Sequence, residues 1–328
     1  MGTPQVIVVG SYNQDYAWRI DRAPQAGETR RGEDFRSAAG GKGFNQAVAC
    51  ARQGVATVFI AALGDDAAGR TARELATADG IDARWLIRDD EATGSACIVV
   101  ETGGQNRIIV ALGANECLDV RFVQAQADAF ATGHVLLAQL ENNIEATRAA
   151  LALARSHRLV RVLNPAPVHA QLDAALLADV DILTPNETEF ALLLARLCAV
   201  DVDPDQLAAQ DDARLHALAR RLGVGTLVIT LGAHGCFVSH ADEDRRGDAL
   251  ACYRLAAAPA KVIDTTGAGD AFSGALAAGL VRFAGQPFRV VIEHANHCAA
   301  LATEGRGAAS AMADYASVIA RFGEARDH

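Results

Sequence analysis

The stretch best suited to chemistry is Asp264-Thr265-Thr266-Gly267-Ala268-Gly269-Asp270. It follows Lys261-Val262-Ile263, which reads as a strand end. It opens a run of small and apolar residues, 271–280, that reads as a buried helix. Two glycines and an alanine at a helix start leave backbone N–H groups uncovered, and the helix dipole adds a partial positive charge there. Together they make a seat for a phosphate or a developing anion. Asp270 falls in the first turn, beside that seat, where a carboxylate can take the proton from a hydroxyl attacking a phosphoryl group. Without a ligand, the same residues would be a tight turn and a capped helix.

A second glycine-rich stretch, Gly40-Gly41-Lys42-Gly43-Phe44-Asn45-Gln46-Ala47, precedes an alanine-rich helix. It lacks the four-residue spacing and the Ser/Thr after lysine of a Walker loop. Glycines here let a ligand approach the backbone, and Asn45 in the first turn can bond a sugar hydroxyl. The alternative is a plain loop with a solvated lysine. Asn13 and Asp15, two apart after the first strand, point the same way in an extended chain. An amide and a carboxylate side by side suit a polyol, although both types are also common in turns. Thr184-Pro185-Asn186-Glu187-Thr188-Glu189 starts a helix after a strand. There Asn186 and Glu189 can cap the helix, and they can also hold Mg²⁺ through its waters. Thr230-Leu231-Gly232-Ala233-His234-Gly235 reads as a hairpin turn that can border a nucleotide. His294 and His297 have metal-binding spacing but no acidic or cysteine partner nearby in sequence, which favours a structural role.

These residues need a scaffold that brings distant loops together. Residues 5–10 read as a buried first strand. Residues 16–35 are irregular, either a small accessory sheet or a long loop. Residues 57–64 read as a strand and 67–79 as a helix. Residues 95–101 and 106–113 read as a hairpin around a turn at 102–105. Strands are then expected at 134–140, 159–164, 181–184 and 226–231, and helices at 144–157, 187–198 and 211–222. An antiparallel piece follows from 235–240 and 252–257, flanking a charged insert at 241–248. Helices at 269–283, 287–303 and 314–322 close the chain. Such alternation predicts an α/β fold, one doubly wound and mainly parallel sheet with helices on both faces. With it goes a small β lid from about 12–37 and 95–112, the whole forming a single domain over 1–328.

The 328 residues are 51% hydrophobic and carry a net charge of −10. That charge argues against nucleic acid or an anionic membrane surface as the main partner, while leaving room for an anionic substrate at a local anion seat. Seven scattered cysteines without a C-x-x-C pair read as reduced thiols of a cytoplasmic protein. The N-terminus runs straight into a strand with no signal peptide, and no apolar run approaches a membrane span.

The Asp264–Asp270 pattern and the Gly40–Ala47 stretch resemble the two signatures of the ribokinase-like (pfkB) sugar kinases. The resemblance is collinear from Val6 to about Ala313, through Ser11-x-Asn13-x-Asp15, Gly113-Ala114-Asn115, Gln139-Leu140-Glu141, Asn164-Pro165-Ala166-Pro167, Asp181–Glu189 and Thr230–Gly235. It implies ATP-dependent phosphorylation of a sugar hydroxymethyl group, with Asp270 as base and Gly267, Ala268 and Gly269 as the anion hole. It implies that the sugar is held by Asn13, Asp15, Gly41, Lys42, Asn45 and Glu141, a set that matches ribose, giving ribose 5-phosphate and ADP. ATP would lie along Asn186, Thr230, Gly232, Gly235 and Gly269, with Asn296 near the adenine. Asn186 and Glu189 would serve Mg²⁺. A monovalent cation, K⁺, would be held by Asp264 and the carbonyls of Thr266, Ala302, Gly305 and Gly307. Here the chain departs from the family: the serine that usually closes the cation site is replaced by Ala311, and Ser310 comes one residue early. Phe44 replaces a small residue, and Tyr12, Tyr16 and Trp18 give the lid entrance an aromatic character suited to a base. The alternatives are therefore a nucleoside kinase (adenosine, inosine or pseudouridine), another sugar kinase such as a fructokinase, and a non-catalytic sugar- or nucleotide-binding regulator. The family's lids often pair two subunits, which implies a homodimer.

Overall fold

A computed structural model describes residues 5–103, 106–243 and 245–325. The residues before the first strand, part of the 102–105 turn, one residue of the charged insert and the end of the tail lie outside it.

Among the described residues, thirteen strands form two sheets. They are β1 (Gln5–Val9), β2 (Asn13–Ile20), β3 (Glu33–Gly40), β4 (Ala56–Gly64), β5 (Asp82–Arg88), β6 (Ser95–Glu101), β7 (Asn106–Ala111), β8 (Val135–Ala138), β9 (Val160–Leu163), β10 (Ile182–Leu183), β11 (Thr226–Thr230), β12 (Cys236–His240) and β13 (Cys252–Leu255). The nine-stranded sheet runs β13-β12-β11-β10-β9-β8-β1-β4-β5. From β11 to β5 every pairing is parallel, and β12 and β13 add an antiparallel edge.

The first strand shows why this sheet is buried on both faces. Val6 and Val8 belong to one apolar cluster and Ile7 and Val9 to the other, all fully buried. A strand covered on both sides reads as a continuous apolar run. The helices Lys42–Arg52, Ala67–Ala78, Ala268–Arg282 and Phe288–Ala302 cover one face; Ile144–Ser156, Glu187–Cys198 and Asp212–Arg220 cover the other. The helix Ala268–Arg282 is buried from Asp270 to Gly279. Its small residues let neighbours in: a Cβ at Gly274 would stand 2.5 Å from Ala49 Cβ and 2.6 Å from Gln46 O.

The chain passes from β1 to β4 and β5 on one side and returns to β8 and beyond on the other. The β1–β8 boundary is thus the switch point where the open sheet gathers ligands at its strand ends.

The second sheet is β3-β2-β6-β7, with β2 and β6 parallel and the outer pairings antiparallel. Residues 16–35, undecided in sequence, are thus β2, a loop and the start of β3. The pairing places Asp15, Ala38, Ala96 and Val110 on one face and Tyr16, Cys97 and Ile109 on the other.

Two elements differ from expectation. Residues 261–263 form no strand: Val262 and Ile263 are exposed, and the amides of Ile263 and Asp264 both donate to Thr303 O, at a helix end. Conversely, β5 is an edge strand paired only with β4, so its half-exposed sequence carries little strand signal.

Candidate active site

Gly10 and Ser11 leave β1, and Gln139, Leu140 and Glu141 leave β8, on the two sides of the switch point. Ser11 Oγ donates to Glu141 Oε2 at 2.5 Å, and the Lys42 amide donates to the same oxygen at 3.0 Å. The glycine-rich loop is strapped onto this corner. A Cβ at Gly41 (φ 86°) would lie 2.6 Å from the Asn13 amide nitrogen, one at Gly43 2.4 Å from that of Ser11, and one at Gly40 2.2 Å from an Asp15 carboxylate oxygen. The sequence suggests that these glycines admit a ligand. What they admit is the chain's own Gly10–Asp15 segment.

Asn13 is buried, and its Oδ1 accepts from Asn115 Nδ2 at 3.0 Å. Asn115 also donates to Tyr12 O and accepts from the Tyr12 amide, so the turn after β7 fixes the Asn13 side chain. Asp15 follows on the inner face of the second sheet. It lines a cleft of about 330 Å³ with Ala38, Ile98, Val100, Asp264 and Gly307.

Asp270 is buried with both oxygens engaged. Asn45 Nδ2 donates to Oδ2 at 2.8 Å and Gln46 Nε2 to Oδ1 at 2.9 Å. Asn45 Oδ1 is buried without a partner, an acceptor awaiting a donor. Beside Asp270 lies a cavity of about 180 Å³, lined among others by Lys42, Asn186, Glu189, Thr230 and Gly269. Gly267 starts the helix at φ 77°, and the space at Gly269 is open. Ala268 departs from the expected anion hole: its amide donates back to Thr265 O at 3.2 Å, and it does not line the cavity.

Asn186 and Glu189 form a reciprocal capping box: Asn186 Oδ1 accepts from the Glu189 amide at 2.8 Å, and Glu189 Oε2 from the Asn186 amide at 3.0 Å. Those bonds leave Glu189 Oε1 and the remaining lone pairs toward the cavity, a donor set that fits a Mg²⁺ ion keeping most of its waters. Asp264 joins two loops, Oδ1 accepting from the Thr266 amide and Oδ2 from the Gly307 amide, both at 3.0 Å. Burial opposes its charge, but the side-chain and backbone hydrogen bonds from Thr266 and the Gly307 amide outweigh it and hold the carboxyl below its usual range. Both of its oxygens thus accept from backbone amides, and their remaining lone pairs could serve a cation. The Ala302 carbonyl also accepts from the Gly305 amide at 3.2 Å. Ala311 packs toward Gly305 and has no hydroxyl, while Ser310 Oγ donates to Arg306 O at 3.0 Å and lies beside Gly307 with its lone pairs free.

The charges in the site act on one another. Burial works against the Lys42 ammonium, but Asp270, Glu141 and Glu189 raise its pKa. Burial, then Glu141 and Asp270, pushes Asp15 up to about 7. Burial, with Asp270 adding to it, raises Glu189 despite the opposing Asn186 amide and Lys42. Lys42 therefore lies among the groups of the anion cavity, facing more than the sugar side expected for it.

Further out, Thr230 bridges to Asn186 at the end of β11, and Gly232–Gly235 turns into β12 as a hairpin. Asn296 Nδ2 donates to Ala256 O at 2.7 Å, and Gly235 packs on the same Leu255–Ala257 backbone, so the two sites meet there. His294 bonds Gln53 and His297 stacks on Phe322, both structural roles. Among the described residues, no cluster of His, Cys, Asp or Glu is arranged to bind a metal.

Of the three aromatic residues expected at the entrance, Trp18 lines the Asp15 cleft, tilted on Phe35 at 5.0 Å, and the two tyrosines do not. Tyr12 is fully buried, edge-on to Phe44 at 5.2 Å, and Phe44 packs on Phe59. Tyr16 stacks on Phe35, on the face opposite Asp15. Ser11, Gln46, Asn115, Gln139 and Asn164 hold the site together yet carry no signal as single residues.

A doubly wound sheet with a buried carboxylate beside a glycine-opened helix start has the form of a phosphotransferase. Residues 3–314 match the model of the pfkB family carbohydrate kinases, and the chain belongs to that family. It is 34% identical over 308 residues to the ribokinase of Haemophilus influenzae, covering 93% of this chain and 94% of that one. The structure of Arabidopsis thaliana ribokinase complexed with ribose and ATP superposes with a TM-score of 0.82 at 28% identity, over 98% of each chain. A Cryptococcus neoformans ribokinase in complex with ADP gives 0.79 at 29% identity, over 98% of this chain and 100% of that one.

Proposed function

We propose that this protein is a ribokinase, transferring the γ-phosphoryl of ATP to the 5-hydroxyl of ribose. The observation that carries the reading is Asp270, buried between the amides of Asn45 and Gln46 at the wall of the anion cavity. The ribokinase relatives support ribose as the acceptor.

Asn13, Asp15, Asn45 and Glu141 hold the sugar hydroxyls, with Gly41 shaping the loop around them. Asp270 takes the proton of the attacking hydroxyl. The Gly269 amide and the Gly267 turn receive the charge of the transferred phosphoryl, with the Lys42 ammonium beside them. The nucleotide runs along Thr230, Gly232 and Gly235 toward Asn296. Asn186 and Glu189 would hold Mg²⁺, which supplies charge neutralisation on the phosphates. Asp264 with the carbonyls of Thr266, Ala302, Gly305 and Gly307 would hold K⁺, which supplies positive charge behind the anion seat. The second sheet acts as a lid that excludes water, the competing phosphoryl acceptor. Its outer face pairs with a second copy of the chain.

The test is ADP release with ATP and Mg²⁺ across ribose, 2-deoxyribose, fructose, adenosine, inosine and pseudouridine, each with and without K⁺. Ribose-dependent release is expected, and Asp270→Asn should lower it roughly 10²–10⁴-fold while ribose binding persists. Turnover confined to a nucleoside would overturn the substrate, and undiminished turnover by the Asp270→Asn variant would remove the base.

A further inference from the structure

Gln46 neighbours Asn45 on the helix Lys42–Arg52, and it is fully buried. Its amide has three partners. Nε2 donates to Asp270 Oδ1 at 2.9 Å and to Asn164 Oδ1 at 3.1 Å; Oε1 accepts from Gln139 Nε2 at 2.5 Å. Turned over, the amide would set its oxygen against two acceptors and its nitrogen against a donor, so this orientation alone satisfies the set. Asn164 is itself fixed, donating from Nδ2 to Thr184 O at 2.9 Å.

Each anchor has the same place in the fold. Gln139 is the first residue after β8, Asn164 the first after β9 and Thr184 the first after β10. Three successive strand ends of the parallel sheet therefore hold one amide, and that amide holds one oxygen of Asp270. The packing leaves no slack: a Cβ at Gly10 would fall 2.0 Å from Gln139 Oε1, and one at Gly274 2.6 Å from Gln46 O.

We propose that Gln46 is a positioning residue for phosphoryl transfer: oriented by Gln139 and Asn164, it transmits the rigidity of the sheet edge to the base Asp270. The inference rests on the kinase reading above. Its N–H holds one carboxylate oxygen and fixes the plane of the group, while Asn45 on the other oxygen is left to meet the sugar. Buried behind Asp270, Gln46 does not touch the substrate. Support of this kind decides how well a reacting group is aimed.

The experiment compares the unaltered chain with Gln46→Glu, which keeps the acceptor for Gln139 and loses both donors. We expect kcat to fall about 10–100-fold, with the ribose dissociation constant within about threefold. The loss should fall on kcat and spare ribose binding, because Gln46 aims the base and does not meet the sugar. A second variant, Gln139→Met, removes the orienting donor together with a buried oxygen that has no partner. It should lower kcat less, again with ribose binding kept, and add little on top of Gln46→Glu, since the two act through one bond. A lower melting temperature with kcat unchanged in either folded variant, or a loss of ribose binding that matches the loss of kcat, would make the network merely structural and overturn the proposal. Multiplying losses would overturn the order of transmission. If Gln46→Glu does not fold, the split between kcat and ribose binding in Gln139→Met decides alone. An unaltered chain without sugar-dependent turnover would instead overturn the kinase reading, and this inference with it.

Discussion

At Asp15, folding works against ionisation. Burial, then the charges of Glu141 and Asp270, pushes its carboxyl up to about 7, so the folded protein keeps this proton across a range where the unfolded chain has lost it. The sign follows. As pH rises from about 4 toward 7, the sugar-free protein loses stability at this site. A bound sugar reverses the preference, because its hydroxyls donate and the charged carboxylate accepts more of them. Ribose KM is therefore expected to fall as pH rises from about 6 to 8, a range set by the raised carboxyl, and the Asp15→Asn variant should lose that slope. A flat profile in the unaltered chain, or the same slope in the variant, would detach Asp15 from sugar binding. Asp270 and the capping pair Asn186 and Glu189 were legible in sequence because their meaning is local, within one turn of a helix start. Asn115, Gln139 and Asn164 stand in segments that carry the resemblance, but the bonds they make were not legible, because each acts on a residue about a hundred or more positions away. At Ala268 the motif marks the turn, but only the backbone shows that this amide bonds Thr265.

Among the elements, the contact of the helices Lys42–Arg52 and Ala268–Arg282 sets the distance between Asp270 and its two amides. That contact depends on Gly274, where a Cβ would press on Ala49 Cβ and Gln46 O. Backbone cannot yield as a flexible side chain does, so Gly274→Ala forces the helices apart. The expected cost is about 1–3 kcal/mol of stability, seen in denaturant unfolding, with a kcat loss larger than the change in ribose KM. Unchanged unfolding and turnover would mean that the helices re-pack freely. The alternating strands and helices were readable from apolar runs, since burial on both faces writes itself into strands such as β1. The edge strand β5 has one neighbour and a weaker pattern. Residues 261–263 look like a strand because they are apolar, yet their amides go to a helix end. Apolar character records burial or a partner, and it does not choose the ladder.

For the whole molecule, the sheet order explains why distant motifs converge: residues leaving β1 and β8 diverge around one switch point, and the second sheet leans its Asp15 face toward it. The opposite face of that sheet is apolar without cover. Ile109 is 73% exposed and Phe35 56%, with Tyr16 and Cys97 in the same rows. A face of this character favours a partner, and a second copy would bury it while stiffening the lid over the sugar. The unaltered chain is thus expected to run at twice its chain mass at micromolar concentration in light scattering. Ile109→Glu places a charge at the centre of the patch and should yield the single-chain mass. Its effect on catalysis should be selective: a looser lid raises ribose KM several-fold, whereas Asp270, Asn45 and Gln46 stand on the large sheet and its helices and should keep kcat within a few-fold. A stable interface needs about 800 Å² from each partner, more than one strand edge offers, so the whole outer face must take part. If Ile109→Glu keeps the double mass, the pairing lies elsewhere. If the unaltered chain is already single, the lid closes over its substrate without a partner, and its apolar outer face must have another use.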